Sequence, residues 1–400
     1  MRARSTPKFS RSRLAAPVVV ACALLGVREA RAVDLPSLAG SPVKLDVTET
    51  SIVSQRFNAR EGENPSDQGY FAWLNRLNLV LGWRKFTVGA RIDSSIYALR
   101  PEDRDFADPQ LKRNAIVDGA TRYRDAVYPA KLWLMYKTPG LEVTAGDSYV
   151  QFGRGLVLSM RKVDELGIDT TVFGAKLVAQ KDPFSVTLVA GQANPARVDE
   201  PTGRALFLPK STGEPLGPQP LFGSDRIIGA QIQTGRGLPV ILSTHAVRLT
   251  KCAPYRYTPE GRVDDNFFSA PIGTCNEADR DIWLATLPSL GPVLASPETI
   301  NAGQSLEIPS LWGHGNLYLE AAVQQREAER PTDPHTQGNA LYGSLVTSGG
   351  PFTNTVQFKS YRNFFPLAGG VNVSRASAFG NIAYSAPPTA EEIIQDSMFG

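Results

Sequence analysis

The sequence predicts an all-β chain, an antiparallel transmembrane β-barrel of the outer-membrane type. Three observations carry that expectation. Apolar residues recur at every second position in segments of about ten residues, the length at which a tilted strand crosses hydrocarbon. After Val33 no apolar run approaches the roughly 18 residues that a membrane helix needs. Tight turns alternate with long polar connections, and the 35 glycines and 30 prolines supply those turns.

The N-terminus accounts for how such a chain would reach its membrane. Arg2, Arg4, Lys8, Arg11 and Arg13 precede an apolar stretch, Leu14 to Val27, which leads into Ala30-Arg31-Ala32. This order is that of a secretory signal peptide over residues 1–32, cleaved before Val33, with the barrel occupying residues 33–400. A lipoprotein box at Val19 to Cys22 is the weaker alternative, because it would strand the apolar run Ala23 to Val27 at the new terminus.

The clearest strand pair runs from Arg76 to Asp93. With Arg84-Lys85 as a two-residue turn, Trp83 faces Phe86, Leu81 faces Val88, Leu79 faces Ala90 and Leu77 faces Ile92, all on one apolar face. The other face pairs Gly82 with Thr87, Val80 with Gly89, Asn78 with Arg91, and Arg76 with Asp93 as a cross-strand ion pair. A second hairpin over Lys131 to Gly146, turning at Lys137 to Gly140, sets Leu132, Leu134 and Tyr136 opposite Ala145, Val143 and Leu141. A third turns at Gln180 to Pro183 and sets Phe173, Ala175, Leu177 and Ala179 opposite Ala190, Leu188, Val186 and Phe184. Further strands are expected at Ile227 to Gln233, Val240 to Leu249, Asn316 to Gln325, Gly338 to Thr347 and Asn354 to Arg362.

Long polar connections are expected at Arg100 to Tyr128, Asn194 to Ser224 and Thr250 to Gly313. Aromatic residues gather near strand ends, with Tyr70, Phe71, Trp73 and Tyr97 at one and Trp83, Phe86, Tyr136 and Phe184 at the other, as two interfacial girdles would require. A soluble β-sandwich is the competing reading. It is disfavoured because charge is kept off one face of these hairpins while Gly, Ser, Thr and charged residues fill the other. Arginine on a lipid-facing midplane costs roughly 2–4 kcal/mol.

The stretch Gly146 to Leu177 resembles a family of bacterial outer-membrane β-barrels of unknown function. The resemblance is carried by Gly146-Asp147-Ser148-Tyr149, by Phe152-Gly153-Arg154-Gly155-Leu156 and by Gly167-Ile168-Asp169. A later patch, Phe358 to Phe364 followed by Tyr384 to Thr389, agrees with it. The resemblance implies a fold and an outer-membrane location, and no activity. It also implies further strands beyond Gly400, so the barrel is expected to be incomplete at that end.

Candidate functional residues follow from the polar face. Arg76, Arg91, Asp93 and Lys176 are expected as lumen-facing charges, and Arg154 as a constriction charge, a plain loop arginine being the simpler reading. Of the three cysteines, Cys22 leaves with the signal. Cys252 and Cys275 would close a disulfide in the oxidising compartment, adding roughly 3 kcal/mol. No metal site is expected, since the pair lacks a CxxC spacing and nearby histidines; Asp164, Glu165 and Asp169 read as a solvated acidic turn sooner than as a calcium site.

A net charge of +3 gives no footprint for nucleic acid, and no cofactor is implied. The only histidines are His245, His314 and His335, and HExxH, GxSxG, Walker A and dinucleotide motifs are absent, so an enzyme is the least favoured class. A passive pore or translocation channel for small solutes, embedded in outer-membrane lipid, is the leading expectation, with arginines of the inner face favouring anions. The alternative is a non-conducting scaffold whose 250–313 loop, with Tyr255, Tyr257, Phe267 and Phe268, holds a surface partner.

Overall fold

A computed structural model describes residues 31–55, 71–98, 126–163, 168–197, 207–209, 215–218, 225–235, 237–252, 277–285, 296–327, 336–349, 351–370, 381–383 and 385. The strands in chain order begin with β1 (Arg31–Leu38), β2 (Ser41–Gln55), β3 (Phe71–Trp83), β4 (Phe86–Ala98), β5 (Ala126–Thr138) and β6 (Leu141–Ser148). Three short strands follow, β7 (Val150–Phe152), β8 (Leu158–Met160) and β9 (Lys162–Val163), then β10 (Ile168–Lys181) and β11 (Phe184–Arg197). A small ribbon, β12 (Phe207–Pro209) with β13 (Pro215–Pro218), precedes β14 (Arg226–Thr234) and β15 (Ile241–Thr250). Helix α1 (Glu277–Ala285) leads to β16 (Glu298–Leu311), β17 (Gly315–Arg326), β18 (Gln337–Gly349) and β19 (Phe352–Arg362), with β20 (Ala368–Gly370) and β21 (Asn381–Ala383) last.

Fourteen of these form one wall in the order β1-β2-β3-β4-β5-β6-β10-β11-β14-β15-β16-β17-β18-β19, with β9 added beside β10. Every neighbour pair is antiparallel. Among the described residues β1 and β19 do not pair, so the wall is open between them.

The registers follow the period-two pattern, with one systematic departure. The Arg84-Lys85 hairpin pairs as the alternation requires, from Trp83 with Phe86 to Leu77 with Ile92 and Arg76 with Asp93. In the second and third hairpins pairing runs two residues closer to the turn than the sequence suggests. Leu134, not Leu132, faces Ala145, with Thr138 opposite Leu141. Ala175, not Phe173, faces Ala190, with Lys181 opposite Phe184. A two-residue turn replaces the expected four-residue one in each case, because one more pair of ladder residues satisfies backbone groups that a wider turn would leave to solvent. The apolar face is unchanged, since a two-residue shift preserves side-chain parity.

The expected connection Thr250 to Gly313 is not all loop. It contains α1 and the fourteen-residue strand β16, whose polar stretch Asn301, Gly303 and Ser305 faces inward and so conceals the alternation.

The two faces of the wall differ in kind. Outward lie rows such as Trp83–Phe86–Tyr136, Leu81–Val88–Leu134 and Leu79–Ala90–Leu132, and no charged side chain points outward from β3, β4 or β5. Glu49, opposite Leu77 on neighbouring β2, is a departure from that rule. At the short-turn end Trp83 stacks on Phe86 and Phe86 meets Tyr136 at a tilt, with ring centroids 6.1 and 5.0 Å apart. At the other end Trp73 points outward, and its indole donates to Ser51 Oγ at 2.8 Å. Tyr97, expected in that girdle, is instead buried against Ala72 on the inner face. Tyr70 lies outside the described residues.

Exposed apolar residues on a long antiparallel wall, with buried charge on its concave side, invert the soluble arrangement. This is the wall of an outer-membrane β-barrel, with short turns at one end and long connections at the other.

Candidate functional site

The site is the inner face, and it begins with a bulge. Between Arg91 and Ile92 the β4–β5 register slips by one, so that Ala130 is unpaired and Lys131 comes opposite Arg91 on the inner side. Two like charges facing each other across a ladder repel. Asp169, at the start of β10, resolves this by pairing with both Arg91 and Lys131. Asp93 holds the other side of Arg91, 2.9 Å from Nε, and Arg76 Nε stands 4.0 Å from Asp93. All four members of the Arg91–Asp93–Lys131–Asp169 core are buried, two cations against two anions.

Tyr149 closes the cluster. It donates its hydroxyl to Asp169 Oδ1 at 2.8 Å, and Lys131 Nζ lies 4.3 Å above its ring. Tyr149 sits just past the end of β6, where burial and then the Asp169 charge push its hydroxyl well up, so it remains a donor. Asp147 acts on the backbone. The β5–β6 ladder ends at Trp133–Gly146, and the next amide, Leu132 N, donates to Asp147 Oδ2 at 2.8 Å while Thr171 Oγ1 donates to Oδ1 at 2.7 Å.

From Tyr149 the chain turns inward. Strands β7 and β8 form a hairpin, tipped by Gly153-Arg154-Gly155, which lies against the inner face of β14 to β17. Its apolar residues Val150, Phe152, Leu156, Val157, Leu158 and Met160 form one buried cluster with inner-face residues of the wall, Val189, Ile227, Val247, Leu249 and Ala322 among them. The tip is pinned by polar contacts. Arg154 N donates to Glu320 Oε2 at 3.1 Å and to Tyr318 Oη at 3.0 Å. The Arg154 guanidinium stacks 4.2 Å from the Tyr318 ring centroid and reaches Asn316 Oδ1 at 3.4 Å. A glycine is required at 153, where φ is +55° and a Cβ would stand 2.6 Å from the Glu320 carboxylate.

Glu320 has a second set of partners. His245 Nε2 is 3.2 Å from its Oε1, and Tyr318 donates to its Oε2 at 2.7 Å. Ser243 Oγ is 3.4 Å from His245 Nδ1 and accepts from Gln231 Nε2 at 2.8 Å. The order Ser243–His245–Glu320 is that of a nucleophile, a base and an orienting acid. Here, however, Ser243 is buried, and Phe152 packs beside His245 with ring centroids 6.2 Å apart, so the network serves the hairpin's seat.

A second inward segment seats on β17. The amide side chain of Gln324 donates to Phe365 O at 2.8 Å and accepts from Phe365 N at 3.2 Å, as a neighbouring strand would, while Arg326 lies 4.9 Å from the Phe365 ring centroid. Phe364 and Leu367 join the hairpin's apolar cluster.

The structure thus places Arg76, Arg91, Asp93 and Lys176 on the inner face, but not as one set. Arg91 and Asp93 are spent in the buried cluster, whereas Lys176 keeps 17% side-chain exposure and pairs with Glu142 at 3.1 Å, beside Lys137. Arg154 belongs to the inward hairpin tip. Asp169 is consumed by Arg91 and Lys131, and Asp164 and Glu165 lie outside the described residues. Cys252 is buried, its amide 3.4 Å from Asp225 Oδ1, and Lys251 pairs with the same carboxylate at 3.2 Å; Cys275 lies outside the described residues. His314 is in the β16–β17 turn, and His335 lies outside the described residues. Lys131, Tyr318 and Glu320 carried no sequence signal as site residues, because their partners are remote in the chain: Asp169 is 38 residues from Lys131, and Arg154 is 164 and 166 residues from Tyr318 and Glu320.

Residues 49–199 match the model of a family of unknown function (DUF6029), a span that takes in the ion cluster and the inward hairpin. No curated protein matches the chain. Among solved structures, the chain is similar to OpdK of Pseudomonas aeruginosa, crystallised with vanillate, at 10% identity over 82% of this chain and 70% of that one, with a TM-score of 0.38. It is also similar to the outer membrane channel DcaP of Acinetobacter baumannii, at 10% identity over 82% and 92% of the two chains and a TM-score of 0.28. OmpT, an outer membrane protein of Vibrio cholerae, aligns at 8% identity over 88% and 96% with a TM-score of 0.30.

Proposed function

We propose that the chain, delivered by an export signal over residues 1–32, builds a passive pore for small solutes in the outer membrane, narrowed by the Val150–Met160 hairpin. The observation that supports this is the number of wall strands, fourteen among the described residues, with the short β7–β8 hairpin and the Phe364–Leu367 segment seated along its inner side. Barrels of about eight strands are filled by their own side chains, whereas walls of this size leave a lumen that two short inward segments constrict without filling.

Within that lumen the remaining partly exposed charges include Lys176, Arg76 and Lys137 against Glu142. This balance supports a preference for anions. Single-channel conductance of the refolded chain in planar bilayers tests the reading, with heat-modifiable gel migration as the check of folding. Steady conductance with anionic selectivity supports it, and a folded barrel that stays silent removes it.

The second reading is a non-conducting scaffold. It is favoured by the foot of the 253–297 connection, where Asp225, Lys251 and Cys252 are all buried in one polar contact. We propose that Cys252 pairs with Cys275 there, which would hold that connection in one shape for a surface partner. Enzymatic chemistry forms no part of either reading, because the Ser243–His245–Glu320 network lies beneath the hairpin rather than open to solute.

A further inference from the structure

A groove interrupts the outward face where the wall runs from β10 to β16. Cross-strand register puts Ala175 opposite Ala190 and Ala230 opposite Ala246, with all four alanines on the outer side. Leu188 and Ile300 rise beside them, and the resulting hollow measures about 600 Å³. Almost all of its lining is carbon, so hydrocarbon is the only occupant that gains by filling it.

The end of the groove nearest the long connections is charged. Arg248 stands opposite Ile300, and Arg226, opposite Thr250, lies one row further along the same face. Glu298 pairs with Arg248, whereas Arg226 is exposed and makes no ion pair among the described residues. The rim therefore carries one positive charge in excess, at the depth where the outer leaflet's headgroups begin. Guanidinium groups bind phosphate in a forked, bidentate geometry. A second copy related by a two-fold axis would bring these arginines against their own kind, which disfavours self-association as the explanation.

We propose that this groove holds one acyl chain of a phosphate-bearing outer-leaflet lipid, with its phosphate between Arg226 and Arg248. The proposal rests on the outer-membrane reading above, and its experiment separates the two. The full chain is refolded in detergent, its folding checked by heat-modifiable migration, and it is then examined by native mass spectrometry with bis-phosphorylated lipid A and with the same lipid dephosphorylated. One retained phosphorylated lipid is expected, with retention falling about tenfold in Arg226→Gln as a charge-assisted contact is lost. A similar fall is expected in Ala230→Leu/Ala246→Leu, which fills the groove while leaving the phosphate contacts in place. Equal retention of the dephosphorylated lipid, or unchanged retention in either folded variant, overturns the lipid site and leaves the barrel standing. A chain with no heat-modifiable form overturns the barrel reading, and the lipid site with it.

Discussion

The amide of Arg154 donates to the Glu320 carboxylate across 3.1 Å, although 166 residues separate them in the chain. That contact joins the inward hairpin to the far part of the wall. Glu320 also satisfies Tyr318 and His245, so one buried carboxylate holds three polar groups.

Replacing Glu320 should therefore loosen the hairpin. Glu320→Ala leaves His245 and Tyr318 buried without their acceptor, a loss of about 1–3 kcal/mol. In planar bilayers the variant should conduct more than the parent and flicker, and protease should nick residues 150–160 sooner. Unchanged conductance with unchanged protease resistance would show that the hairpin is seated by its apolar cluster alone.

Gly153→Val tests the same seat from the other partner. A side chain there meets the Glu320 carboxylate and forces a branched residue into positive φ, so it should cost about 1–3 kcal/mol. Its unfolding midpoint in urea should drop, and its conductance should resemble that of Glu320→Ala. A variant as stable as the parent would mean that the tip is not held as described.

Asp169→Asn should be more damaging than either. It leaves Arg91 and Lys131 facing each other with only Asp93 in compensation, and breaking one partner of a buried ion pair costs about 3–5 kcal/mol. The temperature of heat-modifiable migration should fall clearly. Combining it with Lys131→Met, which removes one of the two cations, should restore most of the loss; failure to do so would assign the effect to Tyr149 instead.

Selectivity is expected to track the exposed charges rather than the buried ones. Lys176→Gln, on a side chain that is partly open to the lumen, should move the reversal potential in a salt gradient toward cations, and losing the pair with Glu142 should cost about 1 kcal/mol or less. A reversal potential that does not move would remove Lys176 from the permeation path.

Ser243→Ala separates a structural from a reactive serine. Only a loss of the Gln231 and His245 contacts is expected, about 1 kcal/mol, with no change in labelling by a fluorophosphonate. Labelling of the parent that disappears in the variant would establish a nucleophile and reverse the reading of that network.

Much of the wall was legible in the order of residues. Alternation suffices to set the pairs from Arg76–Asp93 to Trp83–Phe86, because each outward residue there is apolar and each inward one except Val80 is glycine, polar or charged. Where turns are ambiguous, as at Lys137 to Gly140 and Gln180 to Pro183, the same alternation keeps the face but lets the register move by two. It fails in β16, whose inward Asn301, Gly303 and Ser305 resemble a loop until neighbouring strands supply their partners.

The site was legible only in outline. Asp147, Tyr149, Gly153 and Asp169 stand in the motifs that carry the family resemblance, yet those motifs do not name the groups they meet. Alternation and turn chemistry are local, so the sequence by itself determined that this is an antiparallel wall with one apolar and one polar face. Which inner charges remain open and which are buried depends on a one-residue bulge at Ala130 and on a hairpin that folds against strands far along the chain. Tertiary structure alone decided that, because a buried ion or carboxylate is stabilised by whichever groups surround it in space, and those groups come from β4, β5, β10, β15 and β17 at once.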